Sequence, residues 1–174
     1  MASEDPHFGS DRDGDHPDRS DEWVRLRSDH LRPAGSRPES SAQGVHHQAL
    51  ICSDVEQTIA FYQGLLEFPL TDLFENRDYA GSTHFFFDIG NGNLLAFFDF
   101  PGLGLEEYGE VLGGHHHLAI SMPRDNWERI RSKLDHAGVS TWVHRTSIYF
   151  AGPDGERLEL IADPLGEMYG SPVG

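Results

Sequence analysis

The chain uses one pattern twice. Between residues 45 and 165, a strand-like run, a helix and three more strands follow one another in the same order in two consecutive copies, and a repeat of this kind constrains the fold more than any composition does. The first copy opens with Val45-His46-His47-Gln48-Ala49-Leu50-Ile51-Cys52, and Ser53 and Glu56 stand as a capping box before a helix with Val55, Ile59, Tyr62 and Leu66 on one face. Pro69 bars its continuation. A strand over 70–74 and a hairpin of 84–89 with 93–98, turned at Gly90-Asn91-Gly92, complete the copy. The second copy runs from His115 through a helix carrying Trp127, Ile130 and Leu134. It continues with a strand over 141–144 and a hairpin of 147–150 with 157–161, turned at Pro153-Asp154-Gly155. The expected fold is α+β, built from paired βαβββ modules at 45–101 and 113–165.

Residues 1–44 hold few large apolar side chains, so they are expected to form a disordered acidic leader, with Trp23–Arg27 as a brief helix at most; 166–174 is expected as a tail. With 29 Asp and Glu against 13 Lys and Arg, a net charge of −16 argues against nucleic acid or anionic membrane as partners. No apolar run approaches a bilayer span and no secretory h-region opens the chain, so a cytoplasmic location is expected. Cys52 is the one cysteine among 11 histidines. Any metal site must therefore use imidazole and carboxylate.

Strand alternation sorts the histidines. His47, Ala49 and Ile51 share one face of the first strand, and His117, Ala119 and Ser121 share the matching face of its repeat. Leu158 and Leu160 turn toward the helix side of the last strand, leaving Arg157, Glu159 and Ile161 facing the other way. His47, His117 and Glu159 thus form a candidate 2-His-1-carboxylate set, which suits Fe(II), Mn(II) or a similar ion with open coordination positions. His116 faces away and His115 precedes the strand, so neither is expected as a ligand.

The stretches His47–Asp54, Ile59-Ala-Phe-Tyr62, His117–Ser121 and Pro153–Leu160 resemble the vicinal oxygen chelate superfamily of glyoxalases, bleomycin-resistance proteins and extradiol dioxygenases. The resemblance implies a cup-shaped mixed sheet around a divalent metal, with ligand positions at His47, Phe97, His117 and Glu159. A phenyl ring cannot ligate, so Phe97 points to three-ligand branches such as extradiol dioxygenases and fosfomycin-resistance transferases. If Phe97 faces the cup, Phe97→Glu would add a fourth ligand. Asp99 is an alternative fourth ligand on the same face.

The resemblance further implies ring cleavage of a small, catechol-like aromatic substrate, with Fe(II) favoured over Mn(II) or Zn(II). Tyr149 is the expected hydrogen-bond donor to substrate, and His144 and His84 are candidate acids or bases. The cup is expected to close within one chain or across a homodimer. The alternatives are a glyoxalase-like lyase or isomerase, a fosfomycin-type transferase, and a bleomycin-type protein that sequesters a drug without chemistry. Phe85, Phe86, Phe87, Phe97, Phe98 and Phe100 crowd one hairpin and favour an apolar ligand, while Lys133, the only lysine, sits on a helix.

Overall fold

The computed structural model describes residues 17–109 and 111–167. Residues 44–165 form one compact unit. Its first module comprises β1 (His47–Cys52), β2 (Leu70–Glu75), β3 (Thr83–Asp88) and β4 (Leu94–Asp99), with an α-helical turn at Val55–Ile59 running into a π-helical turn at Ala60–Leu65. The second comprises β5 (Leu118–Ser121), β6 (Trp142–His144), β7 (Ser147–Ala151) and β8 (Arg157–Ile161), with a helix at Arg124–His136. Each module makes a four-stranded mixed sheet, ordered β1-β4-β3-β2 and β5-β8-β7-β6. In both, the first strand pairs in parallel with the last and lies at an edge. The expected α+β modules are present.

One face of each sheet is covered by its helix. Tyr62, Leu66, Phe85, Phe87, Leu95 and Phe97 build the first half of the core, and Ile120, Trp127, Ile130, Leu134, Ile148, Leu158 and Leu160 build the second. The first helix starts one residue later than the capping box suggests. Asp54, not Ser53, is its N-cap, accepting a hydrogen bond from the Gln57 amide at 2.9 Å. At the hairpin, Asn91 takes φ 54° and the Asn93 amide closes the turn on the Gly90 carbonyl.

The two helical layers meet through polar as well as apolar contacts. Phe61 packs near Phe150, while Lys133 donates to the Gly64 carbonyl and to Glu67, which also binds Arg129. Below them the Tyr62 hydroxyl donates to Glu156 Oε1 at 2.6 Å. Glu156 Oε2 takes the Asp154 amide, and Asp154 in turn accepts from the Ser53 amide. This turn needs Gly152, since a Cβ there would stand 2.0 Å from Glu156 Oε1. Burial pushes the Glu156 carboxyl up, although hydrogen bonds from Tyr62 and Asp154 pull against it. It also pushes the Tyr62 hydroxyl well up and the neighbouring Cys52 thiol up to about 12.

The parallel register corrects the place given to Phe97. Leu50 stands opposite Phe97 and Ala49 opposite Ala96, just as Ala119 stands opposite Glu159. Ala96 is therefore the counterpart of Glu159. Phe97, 1% exposed, packs against Tyr62, Phe85 and Phe87 on the helix side. A slip of one residue moves a side chain to the opposite face of a sheet. Asp99 falls on the helix side with Phe97, pairing with Cys52 and accepting the Thr83 amide, so neither residue occupies a ligand position.

Within the segment expected to be disordered, Ser20–His30 form a helix with no buried residue. Asp18 binds the Ser20 amide and hydroxyl, acidic Asp21 and Glu22 sit in the first turn, and Arg27 and His30 sit in the last. Local charge placement accounts for it. Residues 1–16 of the leader, and 168–174 of the expected tail, lie outside the described residues.

Candidate metal centre on the open sheet faces

The uncovered face of the second sheet gathers most of the expected site. Trp142, Tyr149, Glu159 and Ala119 form one row across β6, β7, β8 and β5. Glu159 is 6% exposed yet charged side chains are rarely buried without partners. It has three. Ser147, fully buried, donates its hydroxyl to Oε1 at 2.5 Å, and the Tyr149 hydroxyl donates to the same oxygen at 2.8 Å. His117 Nε2 lies 3.1 Å from Oε2. Burial pushes the Glu159 carboxyl up, but the hydrogen bonds from His117, Ser147 and Tyr149 outweigh it and hold the group below the usual carboxylate range. Sequence reasoning missed Ser147. Its signal was its place two residues before Tyr149, hence on the same face of β7.

His47, which opens β1, and His117, just before β5, each lie against the histidine that precedes them. His116 Nδ1 and His117 Nδ1 are 2.7 Å apart, and His46 Nδ1 and His47 Nδ1 are 2.8 Å apart. One nitrogen of each pair donates and the other accepts, and in the second module's pair His117 Nε2 is left to face Glu159. His116, set aside as a non-ligand, is thus a ring partner of His117.

The first sheet presents a different open face. His47 and Ala49 lie on β1, Ala96 on β4 and Phe86 on β3, while Ile51, Phe98, His84 and Phe74 make the next row. His84 stacks on Phe98 with ring centroids 3.7 Å apart and is flanked by Phe86 and Phe74. Among the described residues, its Nε2 is buried without a hydrogen-bond partner. Burial first, and the nearby His47 second, lower its pKa. His144, by contrast, is exposed at the end of β6 and stacks on Trp142.

The structure therefore brings His117, Glu159 and Tyr149 together and leaves His47 and His84 on the other sheet. Among the described residues of a single chain, no three His, Cys, Asp or Glu side chains converge as a metal site. The donor set of the second sheet nevertheless fits a divalent ion: an imidazole nitrogen and a carboxylate oxygen facing one another, with the other carboxylate oxygen fixed by hydroxyls.

Two βαβββ modules with histidine and glutamate at these strand positions agree with the match of residues 44–160 to the family model of the Glyoxalase/Bleomycin resistance protein/Dioxygenase superfamily. The chain belongs to this superfamily. Among curated proteins it is 28% identical over 141 residues to the "Putative ring-cleaving dioxygenase MhqA" of Bacillus subtilis, covering 75% of this chain and 43% of that protein. It thus spans less than half the length of that relative. It is also 25% identical over 134 residues to the metallothiol transferase FosB of Lysinibacillus sphaericus, covering 69% of this chain and 82% of that one. Among solved structures, a superfamily domain from Frankia sp. superposes with TM-score 0.61 at 19% identity, covering 70% of this chain and 98% of that one. A FosX fosfomycin-resistance protein from Listeria monocytogenes, solved with Mn(II) and a dihydroxypropylphosphonic acid, superposes with TM-score 0.56 at 22% identity, covering 71% and 95%. These superpositions establish the superfamily fold. Among the described residues, no helix is long and apolar enough to cross a membrane.

Proposed function

We propose that this superfamily member is a metal-dependent enzyme of the extradiol-dioxygenase type, opening the ring of a small catechol-like substrate. The observation that carries the reading is the His117–Glu159 pair, anchored on an uncovered sheet face, with His47 at the equivalent place in the repeat. His47, His117 and Glu159 are the proposed ligands, with Fe(II) favoured over Mn(II) or Zn(II). The ion would supply Lewis acidity that lowers the pKa of a substrate hydroxyl.

Because His47 stands apart from the pair within one chain, the reading includes a homodimer in which His47 of one copy completes the set of the other. Two features support it. β1 and β5 are both edge strands, and the open face around His47 is apolar, with Ile51 and Phe74 about half exposed beside Phe86 and Phe98. In that assembly the aromatic row of the first sheet walls the substrate, and His84 within it is the proposed proton carrier; His144, beside Trp142, is the second candidate.

The FosB relative motivates a second reading, a transferase acting on a phosphonate. Against it, the chain's only lysine, Lys133, is engaged with Gly64 and Glu67 on the helical side. The test is oxygen uptake by full-length protein loaded anaerobically with Fe(II), across a panel of catechols, alongside fosfomycin consumption with thiols. Catechol-dependent uptake that disappears in Glu159→Gln is expected. Stoichiometric iron with no uptake on any catechol would contradict the dioxygenase reading, and metal-independent binding of an aromatic drug would point to sequestration.

A further inference from the structure

We propose that Ser147 and Tyr149 are a pair of positioning residues that commit Glu159 to bind its metal through Oε2 alone. The inference rests on the metal-binding reading above and deepens it. Both hydroxyls donate to one and the same oxygen, Oε1, at 2.5 and 2.8 Å, while Oε2 faces His117 Nε2 at 3.1 Å. A carboxylate oxygen offers about two lone-pair directions, so two hydroxyl donors saturate Oε1. Only Oε2 keeps lone pairs for a cation.

The clamp is built into the backbone. Tyr149 stands directly opposite Glu159 in the antiparallel β7–β8 ladder, and Ser147, two residues earlier on the same face, reaches it diagonally. Ser147 is fully buried and Glu159 nearly so, which keeps bulk water from replacing either hydroxyl while both are in place. This assigns Tyr149 to the carboxylate instead of to the substrate. The first module has no equivalent, because Ala96 stands where Glu159 does.

The chemical consequence is the number of positions left open. A carboxylate bound through one oxygen occupies one coordination position and through two oxygens occupies two. With two imidazoles beside it, the single-oxygen mode leaves room on a six-coordinate ion for a chelating substrate and one small molecule more. The same restriction disfavours Ca(II), which takes six to eight oxygen ligands and often both oxygens of a carboxylate, relative to Mn(II) or Fe(II).

The test compares wild type, Ser147→Ala, Tyr149→Phe, the double variant and Glu159→Gln, each full-length, by Mn(II) and Ca(II) titration calorimetry, melting temperature and a crystal structure of the Mn(II)-loaded protein. Wild type should show Glu159 bound through Oε2 only. The double variant should lose about 10–100-fold in Mn(II) affinity, narrow the preference for Mn(II) over Ca(II), and show Glu159 rotated toward two-oxygen binding. Tyr149→Phe keeps the ring and serves as the informative variant should Ser147→Ala melt early. Two-oxygen or Oε1 binding in wild type overturns the proposal, as does a double variant with unchanged affinity and selectivity. Unchanged Mn(II) affinity in Glu159→Gln instead overturns the metal-binding reading and the clamp with it.

Discussion

The two modules share strand order, register and a pair of adjacent histidines, yet their open faces differ at one decisive row. In the second sheet that row reads Trp142, Tyr149, Glu159 and Ala119, and its carboxylate is fixed by two hydroxyls and faced by an imidazole. In the first, Ala49, Ala96 and Phe86 stand in the same places, and the aromatic row of Phe98, His84 and Phe74 lies beside them. One module carries a buried carboxylate clamped by two hydroxyls; the other carries His47, His84 and a largely aromatic wall with Asp72 at its β2 edge. A repeat can thus divide labour without changing its strand order, because the ladder fixes where a side chain points and leaves its chemistry free.

The comparison is most easily broken at Phe97 and Ala96. If Phe97 belongs to the core, Phe97→Ala should cost about 3–5 kcal/mol in urea unfolding and leave Mn(II) affinity as in wild type. Lost metal affinity with little lost stability would return Phe97 to the cup and undo the register argument. A carboxylate added as a fourth ligand, on this account, belongs at position 96.

A smaller effect sharpens how the modules hold together. Burial raises the Glu156 carboxyl above its ordinary value despite the hydrogen bonds from Tyr62 and Asp154. A carboxyl that holds its proton more tightly in the folded state adds stability below its unfolded pKa, and that contribution is lost as pH rises through the folded value. The groups around it, Tyr62, Cys52 and Asp154, bring no positive charge to offset this. As pH rises above the ordinary carboxylate range, wild type should therefore lose melting temperature relative to Glu156→Gln. A difference between the two that does not change with pH would show that Glu156 ionises as it does in the unfolded chain.

Much of this architecture was legible in the residues. Helical spacing placed Tyr62, Trp127, Ile130 and Leu134 in the core, and Gly90-Asn91-Gly92 marked its hairpin, because these signals are local. The error at Phe97 arose where no local signal exists. A hairpin turn sets antiparallel register, but β1 and β4 pair in parallel across more than forty residues, and only the helix-side packing of Leu50 and Leu95 decides which of two adjacent residues faces out. Alternation likewise identified His117 and Glu159 as sharing a face. It gave no sign that His47 of the same chain would stand apart from them, which depends on how the two sheets are disposed and not on either strand. The Ser147 hydroxyl was overlooked because a serine in a strand carries no motif of its own.

The proposed homodimer, in which each metal site takes His47 from one copy of the chain and His117 with Glu159 from another, is open to complementation. His47→Ala and His117→Ala variants should each fail to retain Mn(II). Mixed in equal amounts, unfolded and refolded together, they should recover about a quarter of the wild-type sites, since half of the random dimers are mixed and each of those holds one intact site. Recovery near that level in calorimetric Mn(II) titration is the expected result. No recovery from two variants that refold with wild-type melting behaviour, or undiminished Mn(II) binding by His47→Ala alone, would contradict the account.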